Sequence, residues 1–245
     1  MIISVLNHKG GVGKTTTVHN LGAALANAGK TVLIVDFDPQ CNLSNHCLTL
    51  KDVKGIGFAI KQKTALEPIN IKQNLDILPG SESLDELAMQ WGSSPEKHTN
   101  HLSSVVKPFK DRYEYILVDS APGSSMLMIN AVFAAQELII PISDLDSLQG
   151  AGKIARLLLR HKIAAKGHYL ITRHDERTLI SRDMYAAMTM KNKDAVFTTH
   201  IRSCEAIRQA AVRKMDIIAY SPKSNGAKDY IRLANEIIKS NMSSE

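Results

Sequence analysis

The stretch that most constrains this chain lies at residues 2–18, where an apolar run, IISVLN, passes through a glycine-rich turn into a helical pattern. The turn reads LNHKGGVGKTTT. Strand, glycine turn and helix in that order make a phosphate site. Gly10, Gly11 and Gly13 let backbone N–H groups converge on phosphate oxygens, and the helix start adds its positive dipole end. Val12 and Thr16 complete the cradle, Lys14 is placed to reach the β- and γ-phosphates, and the Thr15 hydroxyl suits Mg²⁺. Counting back from Gly13-Lys14-Thr15, the customary first glycine is replaced by His8, and a second cation, Lys9, follows it. A cradle for one nucleotide does not account for that extra lysine.

Beyond the turn, short apolar runs alternate with helical patterns. IISVLN, TVLIVD, LDILPG, YILVDS, ELIIPI, YLITR, AVFTTHI and DIIAY read as strands, several of them apolar throughout, as strands covered on both faces are. Residues 15–28, 149–164, 205–214 and 227–239 read as helices. The pattern predicts an α/β fold: a doubly wound, mainly parallel sheet with helices on both faces, and ligands at the carboxyl ends of its strands. A chain of 245 residues, 44% hydrophobic, suits one domain over 1–245, with a flexible tail at about 241–245. Residues 91–101, WGSSPEKHTNH, read as a surface loop around a packing anchor at Trp91. No apolar run approaches the ~18 residues of a membrane span. The start lacks the basic and apolar regions of a signal peptide, and the fold is expected to begin at once, without a separate DNA-reading domain ahead of it. Cys41, Cys47 and Cys204 fit neither a zinc pattern nor a disulfide framework, which points to a reducing cytoplasm.

Two more strand ends carry acids. TVLIVDFDPQCN closes on Asp36 and Asp38, and YEYILVDSAPGSS closes on Asp119 in the Walker B manner. With these, KGGVGKTTT resembles the deviant Walker A box of the ParA/MinD/Soj family of dimerising P-loop ATPases. The resemblance implies that Lys9 is the signature lysine, which crosses a dimer interface to the phosphates held by the other subunit. It also implies ATP and Mg²⁺ as cofactors, with Thr15, Asp38 and Asp119 around the metal. Asp38 would orient the attacking water, Asp36 would support the loop, and Ala121-Pro122-Gly123 would sense the γ-phosphate. Cys41 stands where the family commonly has glycine, and Ala121 where it commonly has proline.

The resemblance extends through ITRHDERTLISRDM and YSPKSNGAKDYIRLANEI, and so over nearly the whole chain. Arg202-Ser203-Cys204 replaces the family's Pro-Arg-Asn near the adenine, which puts the base contacts in question. Formal net charge is +6 and the sequence pI about 9.2, and cations gather in the second half. In ParA-like dimers such cations bind DNA without sequence preference, through phosphate neutralisation. Arg208, Arg213, Lys214 and Lys223 are the candidates here. The nine histidines lack metal-ligand spacing and read as structural, and Met184, Met188 and Met190 as core or interface filling. The resemblance therefore implies a slow, partner-stimulated ATPase, cytoplasmic and nucleoid-associated. As a homodimer with ATP it would partition a plasmid or chromosome through a ParB-like partner. Alternatives are the same switch positioning carboxysomes or chemotaxis clusters, a MinD-like membrane cycler, or a metabolic or metal-cluster enzyme on the same core. Too few cysteines follow Cys47 for a nitrogenase-type cluster, and the last helical pattern, AKDYIRLANEIIKS, reads as core-packing, which disfavours a membrane.

Overall fold

The computed structural model describes residues 1–49, 53–123, 125–175, 177–191 and 193–242; most of the expected tail, Ser243–Glu245, lies outside the described residues. The strands are β1 (Ile2–Val5), β2 (Val32–Phe37), β3 (Ile69–Lys72), β4 (Leu75–Leu78), β5 (Tyr115–Ser120), β6 (Glu137–Ile142) and β7 (Lys166–Ile171). They form a seven-stranded sheet in the order β3-β4-β2-β5-β1-β6-β7, parallel except for the β3–β4 edge pair. The helices are α1 (Lys14–Asn27), α2 (Asn42–Cys47), α3 (Ile56–Gln62), α4 (Ser83–Gly92), α5 (His101–Val106), α6 (Met126–Ala134), α7 (Leu145–His161), α8 (Leu179–Lys191), α9 (Glu205–Val212), α10 (Ile217–Tyr220) and α11 (Asn225–Met242).

The period of two along each strand divides the core into two layers. Ile2 and Leu6 face one side, with Leu33, Val35, Ile116, Val118 and Ile140, beneath α4, α5, α6 and α7. Ile3 and Val5 face the other, with Ile34, Ile77, Leu117 and Ile139, beneath α1 and α11. Both faces are thus covered, as the continuously apolar runs required. The apolar side of α11, Tyr230, Leu233, Ala234 and Ile237, is spent in the second layer.

Two runs expected as strands are not strands. DIIAY forms α10, because Asp216 accepts from the N–H groups of Ile218 (3.1 Å) and Ala219 (2.9 Å) and so caps a helical turn. AVFTTHI meets β7 at an isolated Tyr169–Val196 bridge, with the Phe197 N–H donating to the Tyr169 carbonyl at 3.0 Å, and again where the Ile201 N–H donates to the Ile171 carbonyl at 2.8 Å. The Thr198 and Thr199 N–H groups donate instead to the Glu236 carboxylate on α11, at 2.7 and 2.9 Å, so the ladder does not continue. The edge strand β3 was not expected: INIK is short and half exposed, and it turns into β4 through Asn74 at φ 63°. The stretch at 91–101 is more ordered than a surface loop. It holds a short 3₁₀ turn at Pro95–Lys97, and the Trp91 ring, 3% exposed, stacks on His101 at 4.3 Å. Met184 and Met188 are buried, whereas Met190 is exposed.

Candidate phosphate site and its acidic rim

Register brings the three predicted loops to one edge. Asp119 at the end of β5 pairs in register with Val5 of β1 on one side and Asp36 of β2 on the other. The glycine turn, the Asp36–Asp38 turn and Asp119 therefore open at adjacent carboxyl ends, where α/β sheets place their ligands.

Gly13 precedes α1 at φ 95°, a left-handed conformation that glycine adopts without steric cost, and no side chain caps the helix behind it. The first N–H groups of α1 are consequently left pointing into the loop. Val12 is buried, and its carbonyl accepts from the Thr172 hydroxyl at 2.9 Å, tying the loop to the end of β7. Lys14 is 6% exposed, and its ammonium donates to the Lys9 carbonyl at 3.2 Å. Burial lowers the Lys14 pKa, while Asp119 and Asp38 draw it back up.

Asp119 is fully buried, and neither of its carboxylate oxygens has a hydrogen-bond partner among the described residues. Burial and then the charge of Asp36 push its pKa well up, against the pull of Thr15 and Lys14. Thr15 stands close enough to bias that proton but outside hydrogen-bond geometry. A buried carboxylate without a donor is costly. A hydroxyl and a carboxylate are hard oxygen donors of the kind Mg²⁺ takes, directly or through water, so the residues present fit that ion.

Asp38 is 6% exposed and is fixed by its own turn. Its carboxylate accepts from the Gln40 N–H at 2.9 Å, and its carbonyl from the Cys41 N–H at 2.9 Å. Asp36 lies beneath as a support, accepting from the Ser44 N–H (2.8 Å) and hydroxyl (2.6 Å). Burial raises Asp36 to about 6 despite those bonds. Cys41 sits at φ 52°, which gives a physical reason for glycine at the matching place elsewhere. Its thiol is pushed up to about 12, mainly by burial, and is not a reactive thiolate.

Lys9 behaves differently from Lys14. Its ammonium leaves the cradle and reaches the start of α7, 2.9 Å from Asp144 and 3.2 Å from Asp146. Asp144 also caps α7, in a reciprocal pair with Ser147. Burial alone would raise the Asp144 pKa, but Lys9, Ser147 and Ser143 outweigh it and hold the carboxyl at about 2. Asn7 organises this rim: its amide donates to the Pro141 (2.8 Å) and Ser147 (3.0 Å) carbonyls, and its oxygen accepts from the Lys9 N–H at 2.9 Å.

A cleft of about 310 Å³ adjoins the loop, lined by Gly13, Thr16, Arg173, Ser203, Cys204 and Tyr230 among others. Arg202, Ser203 and Cys204 all line it, and the Arg202 guanidinium is held by the buried Asp229 at 2.6 and 3.0 Å.

Residues 1–166 match the AAA domain family. Soj of Bacillus subtilis, described as a sporulation initiation inhibitor protein, is 32% identical over 248 residues, covering 96% of this chain and 97% of its own. The chromosome-partitioning ATPase Soj of Treponema pallidum is 31% identical over 244 residues, covering 95% of each. The chain belongs to the ParA/MinD/Soj family of ATPases. The structure of the septum site-determining protein MinD of Pyrococcus horikoshii, complexed with Mg-ADP, superposes with a TM-score of 0.81 at 27% identity. It covers 96% of this chain and 95% of its own.

Several groups that matter to the site of this ParA/MinD/Soj ATPase were not singled out in the sequence. Asn7, Asp144 and Asp146 act through partners far along the chain and Ser44 through Asp36 and the Gly80 N–H, and only the capping spacing of Asp144 and Ser147 carried a local signal. The four DNA candidates meet different fates. Arg208 pairs with Glu205, and Arg213 lies 5.8 Å over the Tyr220 ring. Lys214 donates to the Leu48 carbonyl at 2.7 Å, and Lys223 is exposed. Arg208 and Arg213 share one shallow hollow with Tyr220. No helix among the described residues is long and apolar enough to cross a membrane.

Proposed function

We propose that this chain, acting as a single ATPase domain, is a switch that dimerises with ATP, binds DNA without sequence preference and positions a cargo. The observation that supports this reading best is the division of labour between two lysines. Lys14 serves the cradle of its own chain, whereas Lys9 stands at the surface beside Asp144 and Asp146. A surface cation beside the phosphate loop is available to a second nucleotide across an interface, where it would offset charge spread over the transferring phosphoryl group.

In the proposed cycle the backbone N–H groups at Gly11–Lys14 and the Thr16 region hold the triphosphate. Lys14 meets the β- and γ-phosphate oxygens, and Asp38, fixed by Gln40, orients the attacking water. Thr15 and Asp119 would hold Mg²⁺, with Asp38 nearby, and the ion would supply positive charge against the negative charge that develops on the phosphates. The Gly123 N–H donates to the His8 carbonyl at 3.0 Å, so the segment after β5 is linked to the phosphate loop and reports its state. A partner protein of the ParB kind stimulates hydrolysis, and the dimer releases. The chromosome-partitioning ATPase Soj of Treponema pallidum supports chromosome partition as the cargo class. The α11 apolar face lies in the core, which argues against a membrane cycle on that helix.

A mobility-shift titration on non-specific duplex DNA tests this, with and without ATP and across salt. ATP-dependent binding that weakens steeply with salt is expected. Binding unchanged by ATP would remove the DNA part of the reading.

A further inference from the structure

A second cleft, about 810 Å³, is more voluminous than the one of about 310 Å³ beside Gly13 and shares none of its lining. It runs between α6 and α7, is closed at one end by the 3₁₀ turn at Pro95–Lys97, and reaches His8. Its floor is apolar: Ile129 and Phe133 lie one turn apart on α6, opposite Ile154 and Leu157 on α7. Its rim is cationic. Lys153 and Arg160 are exposed and form no ion pair with any carboxylate among the described residues. The Lys153 ammonium lies 3.5 Å from the His8 Nε2, and the His161 ring meets Phe133 edge-on at 5.6 Å. Glu96 is the acid that lines it.

Apolar anchors at helical spacing beneath unpaired cations select for one kind of occupant: a segment with apolar residues every three or four positions and carboxylates beside them. The position of the groove gives such binding a consequence. α6 continues from the segment whose Gly123 N–H donates to the His8 carbonyl. α7 packs against the same loop at Gly150, where an added Cβ would lie 2.4 Å from the Asn7 Oδ1. An occupant would therefore press on both sides of the phosphate loop. We propose that the α6–α7 groove docks an acidic, amphipathic segment of a partner protein, and that docking changes ATP turnover through His8. The turnover part rests on the ATPase reading above; the docking part does not.

The test uses the whole chain and a labelled helical peptide of about 18 residues, leucines on one face and glutamates on the other. Its partner is the same peptide with lysines for glutamates. Anisotropy should show micromolar binding of the glutamate peptide and at least tenfold weaker binding of the lysine peptide. The Lys153→Glu/Arg160→Glu variant should reverse that order while keeping its basal ATP hydrolysis. The glutamate peptide should change wild-type hydrolysis at least threefold. Equal binding of both peptides, or unchanged affinity in the variant, overturns the docking site, and so does displacement of the peptide by a non-specific DNA duplex. Binding without a change in turnover overturns the coupling through His8. Charge-selective binding to a chain that does not hydrolyse ATP at all would leave the docking site standing and remove the ATPase reading instead.

Discussion

Lys14 and Lys9, five positions apart, show how one residue type serves two purposes. Lys14 is fixed by burial: desolvation makes its charge costly, and Asp119 and Asp38 compensate. Lys9 is held at the surface by two carboxylates, 45% and 77% exposed, whose grip water and salt weaken. The first arrangement suits a fixed part of a cradle. The second makes a tether that a stronger anion can displace.

The largest expected effect separates the two. Lys14→Ala should weaken nucleotide binding to the isolated chain about a hundredfold, the scale of losing a charged hydrogen-bond donor. Lys9→Ala should leave that binding within about threefold, yet slow hydrolysis by about a thousandfold, as loss of a trans-acting cation does. Fluorescent-nucleotide titration and phosphate release measure the pair. Equal loss of binding in both variants would place both lysines in one cradle and collapse the distinction.

A second, smaller effect tests the rim from behind. Gly150→Ala drives a Cβ to 2.4 Å from the Asn7 oxygen and 3.3 Å from the His8 Cβ. Overpacking of about 1–3 kcal/mol, less up to about 1 kcal/mol of helix propensity, should lower the denaturation midpoint. Hydrolysis should fall more than nucleotide binding, because Asn7 positions Lys9 rather than Lys14. Loss of binding alone would show that Asn7 serves the cradle instead.

The smallest effect is a pH dependence. The Asp144 pKa is about 2 when folded, against an ordinary 3.8, so its contribution to stability is fully present above about 3.8 and disappears as pH falls toward 2. Asp144→Ala should cost about 1 kcal/mol near neutrality, mostly through the lost helix cap, and less near pH 3. Asp146→Ala removes a tether without removing a cap and should cost under about 0.5 kcal/mol. Chemical denaturation at the two pH values checks both, and equal costs would show that the cap does not dominate.

The contrast also explains what was legible in the sequence. The glycine loop, Asp38 and Asp119 follow strands whose apolar runs are bounded by chemistry at fixed spacing, so local reading found them. DIIAY and AVFTTHI defeated that reading because a short apolar run does not declare its period; the Asp216 cap and the distant Glu236 carboxylate decided them. Asn7 and Ser44 carry no local signal either. Asn7 acquires its role from a backbone carbonyl at Ser147, and Ser44 from Asp36 and the Gly80 N–H. Asp144 announces its helix cap locally, but its nearness and that of Asp146 to Lys9 exist only once β6 lies beside β1.

Asn7 carries a last consequence. One side-chain amide rivets the end of β1 to the end of β6 and to the first turn of α7, while its oxygen holds the Lys9 backbone. The Lys9 end of the glycine loop and the acids facing it are therefore tied together through one residue. Moving the Lys9 charge away from its own loop then requires only that the side chain let go of Asp144 and Asp146, with no hinge in the backbone.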